Sequence, residues 1–367
     1  MVKPLECVSK ISPYVPGKPM EELERELGIK ECIKLASNEN PFGPSKKALE
    51  ALRGCFASDC GLHRYPEGTG FYLKNALSEK LSKGGTEVSP DELILGNGSN
   101  ELLDVAVRTF MGAGEEAVMA RPSFIVYSMA VQSVGARSIE VPLTGHRHDL
   151  MKMADALTGK TKMVFIANPN NPTGTINRSD EFEKFIGRVP EGVLVVLDEA
   201  YYEYVKDAGY PDTMKYFKNR DVLILRTFSK AYGLAGLRIG YGIAQKYILQ
   251  EMNKIRAPFN TNSPAQLAAL HALGDNEHLK QSIGINEQGK QYLYKELESL
   301  GIAYVPTEAN FIYLPLNIES KGIFDSLLRM GVIVRPMGPR EIRVTIGLPE
   351  ENKRFIEALK TVIALIR

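Results

Sequence analysis

Residues 221–241 read DVLILRTFSKAYGLAGLRIGY. The run Val222–Leu225 is short, apolar and rich in strand formers, and predicts a strand buried on both faces. Where a turn is due the chain places Ser229-Lys230, and five of the next ten residues are Gly or Ala, with an arginine at Arg238. A lysine at the end of a buried strand is costly while charged, and desolvation lowers its pKa, which makes Lys230 a candidate Schiff-base nucleophile. Arg238 would favour the neutral amine or bind an anion. The small residues of 231–236 would let a flat ligand, or another stretch of backbone, approach closely. The alternative is a surface lysine with its head in water. The other strand ends decide between them.

Working outward, DELILG (91–96), EEAVMA (115–120), ARSIEVPL (136–143), TKMVFIA (161–167) and GVLVVLDEA (192–200) are further apolar runs. Helical or polar segments separate them. Their apolar content is continuous rather than alternating, which implies a mostly parallel sheet sandwiched by helices, an α/β fold. Past Ser263-Pro264, read as a helix cap followed by proline at the first helical position, the texture changes. A long helical stretch runs to about Leu300, then come the short strands FIYLPL (311–316), GVIVRP (331–336) and EIRVTIGL (341–348) and a last amphipathic helix. This second block predicts a smaller α+β domain.

With 45 Lys+Arg against 44 Asp+Glu, the charge balance gives no support to a nucleic-acid partner or an anionic membrane surface. The N-terminal stretch has no apolar core of a signal peptide, and no run approaches the length of a membrane span. Cys7, Cys32, Cys55 and Cys60 complete no metal set and are expected to be reduced thiols of a cytoplasmic protein. His146 and His148 are expected in a solvated loop.

In doubly wound sheets ligands sit beyond the carboxyl ends of the strands. Asn97-Gly98-Ser99-Asn100 opens a helix there, and its free N–H groups suit a phosphate; an ordinary turn capped by Ser99 is the other reading. A dinucleotide fingerprint would want glycine three positions after Gly98, where Glu101 stands. NPNNPTG (168–174) forces irregular backbone and leaves Asn171 without a structural task. Asp198 directly follows VLVVL and, if partly buried, needs a cationic or strongly donating partner, with Tyr201 three residues on; an exposed Asp capping a helix is the other reading. A phosphate cradle, a carboxylate for a ring nitrogen, donors for a ring oxygen and an amine for an aldehyde together complement pyridoxal 5'-phosphate.

SKAYGLAGLRIGY, NPNNPTG, DEAYYEY and LASNENPFGPS resemble the fold-type I, class II aminotransferases, within them most closely the histidinol-phosphate branch, over essentially the whole chain. The resemblance implies a large pyridoxal-phosphate-binding domain at 41–275, a small domain at 276–367, and an N-terminal segment, 1–40, packing with the latter. It implies that Lys230 anchors the cofactor and moves the substrate proton, that Asp198 pairs with the pyridinium nitrogen, and that Asn171 and Tyr201 donate to the ring oxygen. Ser99, Asn100, Ser229, Arg238 and, less centrally, Thr227 would hold the phosphate, and Phe124 would stack on the ring. Tyr65 would reach the phosphate of a neighbouring subunit in a homodimer. Arg343 would grip a substrate carboxylate, while Arg335 and Tyr14 would bind a substrate phosphate. The implied reaction passes an amino group between glutamate and imidazole-acetol phosphate, a step of histidine biosynthesis. An aromatic aminotransferase and a threonine-phosphate decarboxylase of the same fold remain alternatives. A ligand-sensing regulator would need an appended basic DNA-binding domain, for which about 40 residues before NPFGPS leave no room.

Overall fold

Strand formers flanked by glycine-marked turns build twelve strands in the computed structural model, which describes residues 2–29 and 31–366. They are β1 (Ile33–Lys34), β2 (Leu93–Gly96), β3 (Glu116–Arg121), β4 (Arg137–Pro142), β5 (Thr161–Ala167) and β6 (Leu194–Asp198). After these come β7 (Val222–Thr227), β8 (Gly240–Ile243), β9 (Phe311–Pro315), β10 (Val332–Ile333), β11 (Arg335–Gly338) and β12 (Glu341–Thr345). Seven form one sheet in the order β2-β8-β7-β6-β5-β3-β4, parallel throughout except that β8 runs against both its neighbours. β8, in RIGYGIA, is a strand that the apolar-run reading passed over, because Gly240 and Gly242 break its hydrophobic signal.

Successive residues of the central strands enter different cores. Val164, Ile166, Val195 and Leu197 join one apolar cluster with the helices Lys46–Ala57, Phe71–Ser82 and Ser263–Leu273. Met163, Phe165, Leu194 and Val196 join another with the helices Ser99–Phe110, Val126–Ser133 and Lys246–Ile255. Both faces are therefore dry, which is why these strands read as unbroken apolar runs. A third cluster gathers Leu293, Ile312, Leu327, Val344 and Phe355 from the chain beyond 276, together with Leu35. There β11-β12-β9 form an antiparallel sheet, and β1 pairs in parallel with β10, so GVIVRP serves two sheets.

Three local expectations need correction. Asn262, not Ser263, caps the helix Ser263–Leu273: its backbone is extended and its Oδ1 accepts from Ala265 N–H at 2.8 Å. Cys55 and Cys60 are paired as a disulfide, because left-handed turns at Asp59 and Cys60 fold the chain back and bring their Cα atoms to 4.4 Å; Cys7 and Cys32 are free. His148 is buried, not solvated: its Nε2 lies 3.0 Å from Asn170 Oδ1, and burial holds it neutral, with a pKa of about 4. Of the small residues of 231–236, expected to admit a flat ligand or another stretch of backbone, Gly233 admits backbone. A Cβ on Gly233 would come within 2.2 Å of the Gly43 carbonyl oxygen.

Candidate active site

The carboxyl ends of β5, β6 and β7 and the start of the helix Ser99–Phe110 converge on one cavity of about 400 Å³. That volume falls within the roughly 300–1,000 Å³ of small-molecule sites. At one end the helix is capped by Gly98, with no side-chain bond to its first N–H groups, so the backbone amides of Ser99 and Asn100 stay free. The Ser99 side chain therefore does not cap the helix. Arg238, in the left-handed region, donates to Ser229 Oγ at 3.3 Å and to the Ala235 carbonyl at 3.0 Å. Its guanidinium lies so close over Gly98 that a Cβ there would meet Nη2 at 2.5 Å. Thr227 Oγ1 accepts from Ser229 N–H at 3.1 Å and so shapes the same wall. A helix N-terminus, a hydroxyl and a guanidinium make an anion cradle.

In the middle stands Asp198, the last residue of β6 and 7 % exposed. Its partners among the described residues are the Tyr127 hydroxyl at 2.7 Å and the Ala200 N–H at 3.2 Å; no cation is paired with it. Burial pushes its carboxyl above the ordinary carboxylate range, and those two donors only partly offset the rise. Tyr127 is wholly buried, stacked on Phe165 and set edge-on to Phe124, whose own ring lines the cavity.

Opposite, Lys230 Nζ donates to the Ser37 carbonyl at 3.2 Å. Burial, reinforced by the Arg343 guanidinium, brings its pKa down to about 8. The neutral amine is thus available near physiological pH. Asn171 and Tyr201 face the same space. Asn171 Oδ1 accepts from Arg343 Nη1 at 2.6 Å, which leaves its amide N–H groups to donate elsewhere. Tyr201 is buried and its phenol is pushed up to about 12, so it stays protonated.

At the far end Arg343, on β12, is buried between Asn171 and the Ala36 carbonyl, which it reaches at 2.7 Å; among the described residues its Nε has no partner. Arg335, on β11, donates to the Val15 carbonyl at 2.8 Å and sits 5.5 Å from the centre of the Tyr14 ring. The cavity thus gathers thirteen of the fourteen residues singled out from sequence. The exception is Tyr65, which stands 80 % exposed at the surface, stacked on Phe259.

Residues 30–359 match the family model for aminotransferase class I and II. The chain belongs to that aminotransferase family. Similar curated members of it are the histidinol-phosphate aminotransferase of Moorella thermoacetica, 49 % identical over 98 % of this chain and 92 % of that protein, and histidinol-phosphate aminotransferase 2 of Pseudomonas aeruginosa, 47 % identical over 97 % and 96 %. Among solved aminotransferases, that from Sinorhizobium meliloti, a histidinol-phosphate aminotransferase in complex with pyridoxal-5'-phosphate, superposes with a TM-score of 0.90. It is 29 % identical and covers 100 % of this chain and 99 % of its own.

The residues of this aminotransferase fit that cofactor. A buried carboxylate without a counter-ion calls for a cationic ring nitrogen, an amine held near 8 suits an aldehyde, and the open helix end suits a phosphate. Among the lining residues that sequence reasoning did not single out are Tyr127 and Asn38. Tyr127 carries no local signal that sets it apart, and Asn38 lies in the loop NENPFG, where its partners come from distant segments.

Proposed function

We propose that this chain uses pyridoxal 5'-phosphate to pass an amino group between L-glutamate and imidazole-acetol phosphate, giving L-histidinol phosphate and 2-oxoglutarate in histidine biosynthesis. The observation that carries the reading is the pair of arginines, Arg343 and Arg335, lining the same cavity as Lys230 and Asp198. The two half-reactions bring different anions: glutamate has carboxylates, histidinol phosphate a phosphate and no carboxylate. Guanidinium groups bind both in turn. The names of the similar enzymes favour this substrate over an aromatic amino acid or phosphothreonine.

When bound, the cofactor supplies a protonated pyridine ring that takes up the electron pair left as the substrate Cα–H bond breaks. Asp198 keeps the ring nitrogen protonated; Asn171 and Tyr201 donate to the ring oxygen. Phe124, which lines the cavity, would stack on the ring. Ser99, Asn100, Thr227, Ser229 and Arg238 hold the phosphate. Lys230 would anchor the cofactor through its aldehyde and, once freed by substrate, would carry the proton between the substrate Cα and the cofactor's former aldehyde carbon. Arg343 orients the carboxylate, and Arg335 with Tyr14 the substrate phosphate.

On this reading residues 41–275 form the cofactor-binding domain and 276–367 a small domain joined by residues 1–40. The working unit is a homodimer in the cytoplasm, its Tyr65 reaching the partner's phosphate cradle. The exposure of Tyr65 supports that placement. Among the described residues no helix is long and apolar enough to cross a membrane.

The test is a set of steady-state rates for the purified protein with glutamate against imidazole-acetol phosphate and a panel of keto acids. Preference for the imidazole phosphate is expected. Equal competition by phenylpyruvate, or CO2 release from phosphothreonine, would overturn the substrate assignment.

A further inference from the structure

Three consecutive residues, Ala36, Ser37 and Asn38, each touch a different functional side chain. The Ala36 carbonyl accepts from Arg343, the Ser37 carbonyl from Lys230, and Asn38 Nδ2 donates to the Tyr201 hydroxyl at 2.9 Å. Asn38 is 1 % exposed and has φ +54°, a conformation that asparagine tolerates better than most residues. Such a buried, left-handed polar residue calls for an account.

Its hydrogen bonds have one consistent set of directions. The Asn38 N–H donates to Thr345 Oγ1 at 2.9 Å, so the Thr345 hydroxyl proton is free to go to Asn38 Oδ1, 3.2 Å away. Asn310 Nδ2 donates to the Asn38 carbonyl at 3.0 Å. The amide oxygen is thereby committed, and the amide N–H is left facing Tyr201. Since the Tyr201 oxygen accepts that bond, its own proton points elsewhere, and the cavity it lines lies before it. Accepting a hydrogen bond also polarises the phenol and strengthens it as a donor.

We propose that Asn38 is a positioning residue that fixes Tyr201 as a hydrogen-bond donor into the cavity. The inference rests on the pyridoxal-phosphate reading above, in which that donation meets the ring oxygen. Thr345 lies two residues beyond Arg343 on β12, so the strand that grips the substrate also sets the polarity of Tyr201.

The test uses Asn38→Gly, which keeps the left-handed backbone accessible and deletes the amide. Purified apoprotein is titrated with pyridoxal phosphate, and the pH midpoint of the bound cofactor's visible absorption is measured beside the apoprotein's thermal midpoint. Weaker donation to the ring oxygen makes the cofactor–lysine linkage hold its proton more tightly. The absorption midpoint should therefore move upward, in the direction of Tyr201→Phe but by less, and the cofactor dissociation constant should rise about five-fold. In the Tyr201→Phe background Asn38→Gly should move neither. Thr345→Val carries the same comparison if the glycine variant does not fold. A shift of equal size in both backgrounds, or a lower thermal midpoint with an unmoved absorption midpoint, leaves Asn38 a structural residue only and overturns the proposal. Absence of saturable cofactor binding by the unmodified protein sinks the cofactor reading instead.

Discussion

Replacing Asp198 by Asn should act in opposite directions on the apoprotein and on the loaded protein. Burial pushes the Asp198 carboxyl above its ordinary value. An acid so raised destabilises the fold as pH climbs from its unfolded pKa, about 3.9, through the folded one, because the unfolded chain gives up its proton first. Asparagine carries no such charge. Its Oδ1 can still accept from Ala200 N–H, and the Tyr127 hydroxyl can turn to accept from its amide. The apoprotein variant should therefore gain stability relative to the parent above that window, and the gain should vanish below about pH 3.9. Cofactor binding responds the other way. Losing a charged partner for the ring nitrogen costs about 1.5–3 kcal/mol, which raises the dissociation constant about 10- to 140-fold. Equilibrium dialysis against pyridoxal phosphate, with urea unfolding of the apoprotein across the acid range, reads both. An unchanged dissociation constant, or a variant apoprotein that loses stability relative to the parent as pH rises, would refute the reasoning.

Tyr127→Phe removes one of the two donors that hold the Asp198 carboxyl down, so in carbon NMR of the apoprotein its pKa should rise further; a fall would contradict the assigned bond. Labelling of Lys230 by an amine-selective reagent, followed by peptide mapping, should rise with pH to a midpoint of about 8. In Arg343→Gln that midpoint should move upward, since a neighbouring positive charge is removed; no movement would show that burial acts alone. On the far side of the sheet Arg226 and Glu199 form a buried pair, with Nη2 and Oε2 2.8 Å apart and side chains 6 % and 0 % exposed. Glu199→Ala strands the guanidinium and should cost about 3–5 kcal/mol, seen as a lower urea midpoint. A stability equal to the parent's would mean that Glu203, whose Oε2 is buried and whose charge also acts on Arg226, takes over as its partner.

Much of the site lies in short local patterns. Asp198 and Lys230 each sit where an apolar run stops, and a parallel sheet delivers all such stops to one edge, so period and position suffice to bring them together. The same runs announce two-sided burial of the sheet. Where local signals mislead, a neighbour in sequence or a fold of the chain is the cause: Asn262 displaces Ser263 as the cap, and left-handed turns at Asp59 and Cys60 bring Cys55 and Cys60 together.

Legible in the residues alone are the inventory of reactive groups and the order in which strands and helices present them, because both follow from periodicity and composition over a few residues. Folding adds the directions of the hydrogen bonds: Tyr127 to Asp198, 71 positions apart, and Thr345 to Asn38, 307 apart. A donor acquires a fixed partner only when distant segments pack, and no local pattern encodes which proton points where.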